Sequence, residues 1–229
     1  MKKAIFVAMV LFSMSVLVAQ TKTAIMVNSG LNLPSSSEYF SKYWGASYNL
    51  GGGVEIPLNP QLSFVGYIDY NNFSFDADKV IQESDYSNQG ITTSGGNIHI
   101  LNLSVNIKNR FSQQASQKTV FYILGGIGYS NVSISDLTVT DGRNVGTLSS
   151  ESIGAFSLNI GLGSEYAVSP TVSIFADARY VFAFTNGSIL KYTNPDNLAS
   201  RNLDKEGAYV LKNNTNYIPF RVGICYNLP

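Results

Sequence analysis

Between Leu101 and Lys108 the chain reads Leu-Asn-Leu-Ser-Val-Asn-Ile-Lys, a strict alternation of apolar and polar residues. Successive side chains of an extended strand point to opposite faces, so this run presents one hydrocarbon face and one hydrophilic face. The same period recurs along the chain and predicts eight strands. Near Thr23–Leu33 the apolar face is Ile25, Val27, Leu31 and Leu33; in Ala46–Leu58 it is Ala46, Tyr48, Leu50, Val54, Ile56 and Leu58. In Leu62–Tyr70 it is Leu62, Phe64, Ile68 and Tyr70; in Leu101–Phe111, Leu101, Leu103, Val105, Ile107 and Phe111. Phe121–Tyr129 contributes Phe121, Ile123, Ile127 and Tyr129, and Phe156–Val168 contributes Phe156, Leu158, Ile160, Leu162, Tyr166 and Val168. Val172–Phe184 alternates through Ile174, Tyr180 and Phe182, and Ile218–Leu228 through Phe220, Val222, Ile224 and Tyr226.

What precedes these strands reads as a targeting segment. Lys2 and Lys3 give a positive start, Ala4 to Val18 is apolar apart from Ser13 and Ser15, and small Ala19 suits cleavage. Residues 1–19 are therefore expected to be a signal peptide and residues 20–229 one domain. The segment is shorter than the ~20 residues of a spanning helix, and no Cys follows it to carry a lipid anchor. No other apolar stretch is long enough to cross a bilayer as a helix, so the remaining chain is either soluble or spans as a barrel.

Composition narrows the function. Charged residues make up 13% of the chain, fifteen of each sign, which argues against nucleic acid and against a polybasic membrane patch. With one His and one Cys, a metal site of the usual zinc ligands is not expected, nor is any cofactor. Cys225 has no partner for an internal disulfide.

Connections between the strands alternate in length. Asn59-Pro60-Gln61, Ser112–Lys118 and Ser169-Pro170 are short; residues 34–45, 71–97, 130–153 and 185–216 are long and polar. An all-β, eight-stranded antiparallel up-and-down transmembrane β-barrel produces this rhythm, with the short turns and both termini in the periplasm and the long loops outside. A soluble lipocalin-like barrel alternates too, with its apolar face inward, but three features favour the inverted arrangement. The polar face is crowded with small residues, Gly51, Gly53, Ser157, Asn159, Gly161 and Gly163, as a narrow eight-stranded interior requires. It carries four acids, Glu55, Asp69, Glu165 and Asp177, and four bases, Lys108, Arg110, Arg179 and Arg221, a balance that lets confined charges pair. On the apolar face, aromatics gather near the strand ends: Tyr48, Tyr70, Tyr129, Phe156, Tyr180, Phe182 and Phe220 toward the long loops, Phe64, Phe111, Phe121, Tyr166 and Tyr226 toward the short turns. Two aromatic belts around an aliphatic band match the two membrane interfaces.

The last strand, Arg221-Val222-Gly223-Ile224-Cys225-Tyr226-Asn227-Leu228, resembles the β-signal of outer-membrane proteins: polar, any, Gly, any, any, hydrophobic, any, hydrophobic. The resemblance implies that the barrel-assembly machinery reads Arg221, Gly223, Tyr226 and Leu228. The family usually ends in an aromatic; here Leu228 holds that place and Pro229 follows. From signal to last strand the organisation resembles the small outer-membrane barrels of the OmpA, OmpX and opacity-protein type, without a following OmpA-like peptidoglycan-binding domain. It implies a bacterial outer membrane and leaves the activity open.

Candidate chemistry is sparse. His99 is the only histidine. A lipid-A deacylase would pair a membrane-facing His with a nearby Ser in one strand, but Ile98-His99-Ile100-Leu101 has no Ser two residues on, so His99 is expected to be a polar residue at the extracellular rim and no catalytic residue is assigned. Asp76, Asp78, Glu83 and Asp85, opposed only by Lys79, lack the order of a calcium loop and are read as a solvated loop. Cys225 shares the parity of Arg221 and Gly223 and is read as a small interior filler. Gly125-Gly126-Ile127-Gly128 lacks the Lys of a phosphate loop; its glycines are expected to relieve crowding.

The leading expectation is a non-enzymatic barrel with a salt-bridged interior, active in envelope integrity or in surface contacts through its four long loops, of which the last offers Tyr192, Tyr209 and Leu211. Its expected partners are outer-membrane lipids, the assembly machinery and an extracellular partner. The alternatives are a narrow channel for small solutes, in which the eight interior charges line a pore, and, behind it, a lipid-modifying enzyme.

Overall fold

A computed structural model describes residues 22–35, 40–83, 90–111, 118–140, 145–148, 152–185 and 214–228. The expected signal peptide and Tyr192, Tyr209 and Leu211 lie outside the described residues. Eight long strands form the wall: β1 (Ala24–Pro34), β3 (Ser47–Pro57), β4 (Leu62–Phe75), β6 (Ile98–Arg110), β7 (Thr119–Ile134), β10 (Ser152–Ala167), β11 (Val172–Phe184) and β12 (Thr215–Asn227). The shorter β2 (Trp44–Gly45), β5 (Thr92–Gly95), β8 (Leu137–Thr140) and β9 (Val145–Leu148), with helices α1 (Phe40–Tyr43) and α2 (Ala77–Glu83), occupy the long connections.

Each long strand pairs antiparallel with two neighbours, and β1 closes the circle on β12, Ala24 opposite Asn227. Closure leaves the wall without an edge, so its backbone groups are bonded strand to strand, the condition a bilayer imposes. Tight turns are set by side-chain oxygens: Asn59 Oδ1 accepts from the amides of Gln61 and Leu62 at 2.9 and 2.8 Å, and Ser169 Oγ accepts from Val172 at 3.1 Å. Such local bonds are why Asn and Ser favour turns.

The apolar parity points outward. Val27, Val105, Ile127, Leu162 and Val222 are more than half exposed, which in water would be an untenable hydrocarbon surface and in a bilayer is the lipid face. The aromatics of the two expected belts share it: Tyr129 lies opposite Phe156 and Phe156 opposite Phe184 on the long-loop side, while Phe121 and Tyr226 face out near the short turns.

Two expectations change. Several strands run past the lipid band: β4 continues to Phe75 and β7 to Ile134, and β5, β8 and β9 form a separate three-stranded sheet. The long connections are thus partly structured, because Ile98, Val132 and Ile134 bring enough apolar surface to bury together. The acidic stretch is likewise not a bare loop. Asp76 Oδ1 accepts the Lys79 amide at 3.1 Å, capping α2 as a short acidic side chain does at a helix start; Asp85 lies outside the described residues.

The inward face is not uniformly polar either. Toward the short turns, Ala24, Met26, Val65, Tyr67, Phe175 and Cys225 pack together. At the long-loop end a larger apolar cluster spans the lumen, built from Phe40, Tyr43, Trp44, Phe73, Ile98, Ile100, Val132, Ile134, Val181 and Tyr217. The charged and amide side chains lie along the same inward face of the strands.

Candidate functional site: the filled interior

Strand parity and register bring the eight interior charges together. Glu55, Asp69, Lys108, Glu165, Asp177, Arg179 and Arg221 are buried, and Arg110 is mostly so. They form two groups, each with two acids and two bases. In the first, nearest the short turns, Lys108 Nζ lies 3.0 Å from Glu55 Oε2 and also contacts Glu165. Arg110 donates from Nε to Glu165 Oε2 at 3.0 Å, contacts Glu55 through Nη2, and reaches Ser63 Oγ at 2.8 Å. In the second, Arg221 forks onto Asp177 at 2.8 and 2.7 Å and reaches Asp69 at 3.0 Å. Arg179 Nη2 donates to the same Asp177 at 3.1 Å. Isolated ions would cost several kcal/mol each here; pairing and hydrogen bonding offset that cost.

Two inward tyrosines stand among these charges, Tyr122 between the two groups and Tyr67 within the second, and parity alone could have found them, because both stand on the polar side of their strands. Lys108 Nζ sits 4.2 Å from the centre of the Tyr122 ring, whose hydroxyl donates to Asp177 Oδ2 at 3.1 Å. Tyr67 lies beneath both Arg179 and Arg221, at 4.0 and 4.5 Å. Such cation–π contacts strengthen when water is excluded.

Glycines make room for these side chains. A Cβ on Gly163 would lie 2.5 Å from the Tyr122 ring, and one on Gly53 2.8 Å from the Tyr67 ring. In the glycine-rich run, Gly126 and Gly128 stand inward with backbone of β6 too close for a side chain, consistent with relief of crowding.

Amides and hydroxyls fill further space along the same inward face. Asn49 donates to Asn32 at 3.1 Å, Asn102 to Ser130 and Ser157 at 2.7 and 3.0 Å, and Asn71 to Tyr217 at 3.3 Å. The apolar cluster then packs across the inward face at the long-loop end. Trp44 anchors it by donating from its indole nitrogen to the Gly96 carbonyl at 2.9 Å, and Phe40 meets Phe73 edge-on at 4.9 Å. The alternation did not reveal this cluster, because Phe40 and Trp44 lie in a connection.

Among the assembly-signal residues, Arg221 points inward into the second charge group, and Gly223 lies against Phe175, 2.6 Å from where its Cβ would stand. Tyr226 faces out, and Leu228 follows β12 and donates its amide to Thr23. Cys225 is buried beside Glu55 and Glu165, with ligand atoms of the three within 4.8 Å of one another. Both carboxylates are already neutralised by Lys108 and Arg110, so a cation there would have to displace an ammonium. His99 points outward between inward Ile98 and Ile100, at the long-loop rim.

The outer membrane protein beta-barrel domain model matches residues 4–205. Neisserial surface protein A is similar in structure, with 13% identity over 90% of this chain and 97% of that one and a TM-score of 0.50. A major outer membrane protein from Thermus thermophilus is similar at 12% identity, over 90% and 99% of the two chains, with a TM-score of 0.54. Both likenesses concern the fold. No curated protein matches the chain in sequence.

Proposed function

The chain belongs to the outer membrane protein beta-barrel domain family, and from that premise we propose that it is a non-enzymatic outer-membrane barrel with a closed interior, acting in envelope integrity or in surface contacts at its long-loop end. The observation that carries this reading is the filled lumen. Two neutral charge groups and an apolar cluster occupy the inward face, and an eight-stranded wall encloses little space beyond its own side chains. In the proposed orientation the short turns and termini face the periplasm and the long connections face outward. Support for a surface role comes from the shape of that end, where the sheet of β5, β8 and β9 continues the chain beyond the wall.

Single-channel recording of the purified full chain in planar bilayers tests the reading. A silent bilayer is expected. Stable conductance of reproducible size would overturn it in favour of a narrow solute channel.

A further inference from the structure

We propose that Tyr48, Tyr70 and His99 form a binding site for the phosphate group of a glycolipid headgroup, on the lipid-facing side of the barrel at its long-loop rim. The inference goes beyond the reading above and rests on it only for which leaflet supplies the lipid.

Three adjacent strands present the trio, and it is pre-organised. His99 faces outward from β6, half-buried. Its Nδ1 lies 2.7 Å from the Tyr70 hydroxyl, and the two rings stack at 5.8 Å with planes 18° apart. Tyr48 follows on β3, its ring 6.3 Å from that of Tyr70. The imidazole is therefore fixed in direction without a ligand, so little rotamer freedom is left to lose on binding. When Tyr70 donates its hydroxyl proton to Nδ1, the imidazole keeps its own proton on Nε2. That nitrogen has no partner among the described residues.

The height and the surroundings indicate the ligand. His99 stands two outward positions beyond Leu103, the residue opposite Tyr129 of the aromatic belt, on the side away from the membrane centre. Its cross-strand neighbours are Ser133 on β7, which donates to the His99 carbonyl at 3.3 Å, and Asn72 on β4, whose amide donates to Ser47 at 2.9 Å. No acidic side chain stands on the outward faces of β3, β4, β6 or β7. In the tautomer with its proton on Nε2 the ring is a directed N–H donor just above the hydrocarbon band, with no competing carboxylate on these faces; a phosphate oxygen matches that donor and would itself select the tautomer, and a charged acceptor strengthens the bond. A scattered interfacial histidine would need neither the stack nor the tyrosine on its Nδ1.

Because His99 is the only histidine, its ring protons give one unambiguous set of resonances. The full chain, refolded in phosphate-free maltoside micelles, is titrated with bis-phosphorylated lipid A, with the same lipid stripped of its phosphates, and with inorganic phosphate. Saturable shifts with the phosphorylated lipid alone are expected. His99→Ala is expected to weaken lipid retention about ten-fold, the worth of one hydrogen bond to a charged group, and Tyr70→Phe about five-fold, the worth of the neutral bond that holds the ring, while heat-modifiable gel mobility shows both variants folded. Equal shifts with the dephosphorylated lipid, equal shifts with inorganic phosphate, no shift with any probe, or undiminished retention in both folded variants would each overturn the proposal. Micelles have no inside or outside, so the result stands apart from the orientation of the barrel, which surface labelling of the long connections reads separately.

Discussion

Arg221 grips Asp177 with two parallel hydrogen bonds, Nε to Oδ1 at 2.8 Å and Nη2 to Oδ2 at 2.7 Å, from directly opposite positions on β12 and β11. The planar fork of a guanidinium matches a carboxylate in this geometry. Asp69, Arg179 and the Tyr122 hydroxyl complete the surroundings, so neither partner can be lost quietly.

Asp177→Ala is expected to destabilise the barrel by about 3–5 kcal/mol, since it leaves buried arginines short of a counter-charge. Replacing Asp177 and Arg221 together by Leu and Met should recover little of that loss, because Arg179 then lacks its carboxylate and Asp69 its arginine. Urea unfolding in lipid vesicles, scored by gel mobility, gives both numbers; a single variant as stable as the parent would contradict the tight pairing.

Gly53 and Gly66 make a paired test of crowding, because they lie close together on β3 and β4 but on opposite faces. A Cβ at Gly53 meets the Gly66 carbonyl and the Tyr67 ring, whereas one at Gly66 meets nothing within 4 Å. Gly53→Ala should cost about 1–3 kcal/mol through overpacking, and Gly66→Ala should stay within about 0.5 kcal/mol of the parent. Equal effects would mean that the interior is looser than the contacts indicate.

Phe73→Ala should loosen the cluster at the long-loop end, at a cost of about 3–5 kcal/mol for a fully buried aromatic. Trp44, the only tryptophan and 2% exposed, reports on it directly. Its emission should move to the red and acrylamide quenching should rise. Unchanged emission would show that the cluster does not depend on Phe73.

Val105→Arg tests the outward face. Val105 is 59% exposed in the middle of β6, and an arginine near the bilayer midplane of a barrel costs about 2–4 kcal/mol. The penalty should appear in vesicle-based unfolding and fade for Tyr166→Arg at the short-turn rim. No difference between the two sites would argue against a hydrocarbon band at Val105.

The eight alternating runs of the chain already specify an eight-stranded wall, because a period of two admits only one division of each strand into faces. Val172–Phe184 matches its strand end to end. The eight interior charges are legible for the same reason: Glu55, Asp69, Lys108, Arg110, Glu165, Asp177, Arg179 and Arg221 all fall on the polar parity. Which acid meets which base is not, since pairing depends on register between strands as distant in sequence as Asp69 and Arg221.

Parity determines which residues look inward and leaves open what they look at. Tyr67 and Tyr122 needed the closed wall to acquire cations above their rings, and Phe40 and Trp44, in a connection without any period, needed the inward ends of β4, β6, β7 and β12 to close over. His99 met Tyr70 only once β4 and β6 were paired. Local alternation is a property of one strand, carried by neighbouring residues and therefore written in the sequence; closure, ion pairing and the rim site are properties of several strands at once, and they exist only where hydrogen-bonded register brings those strands together.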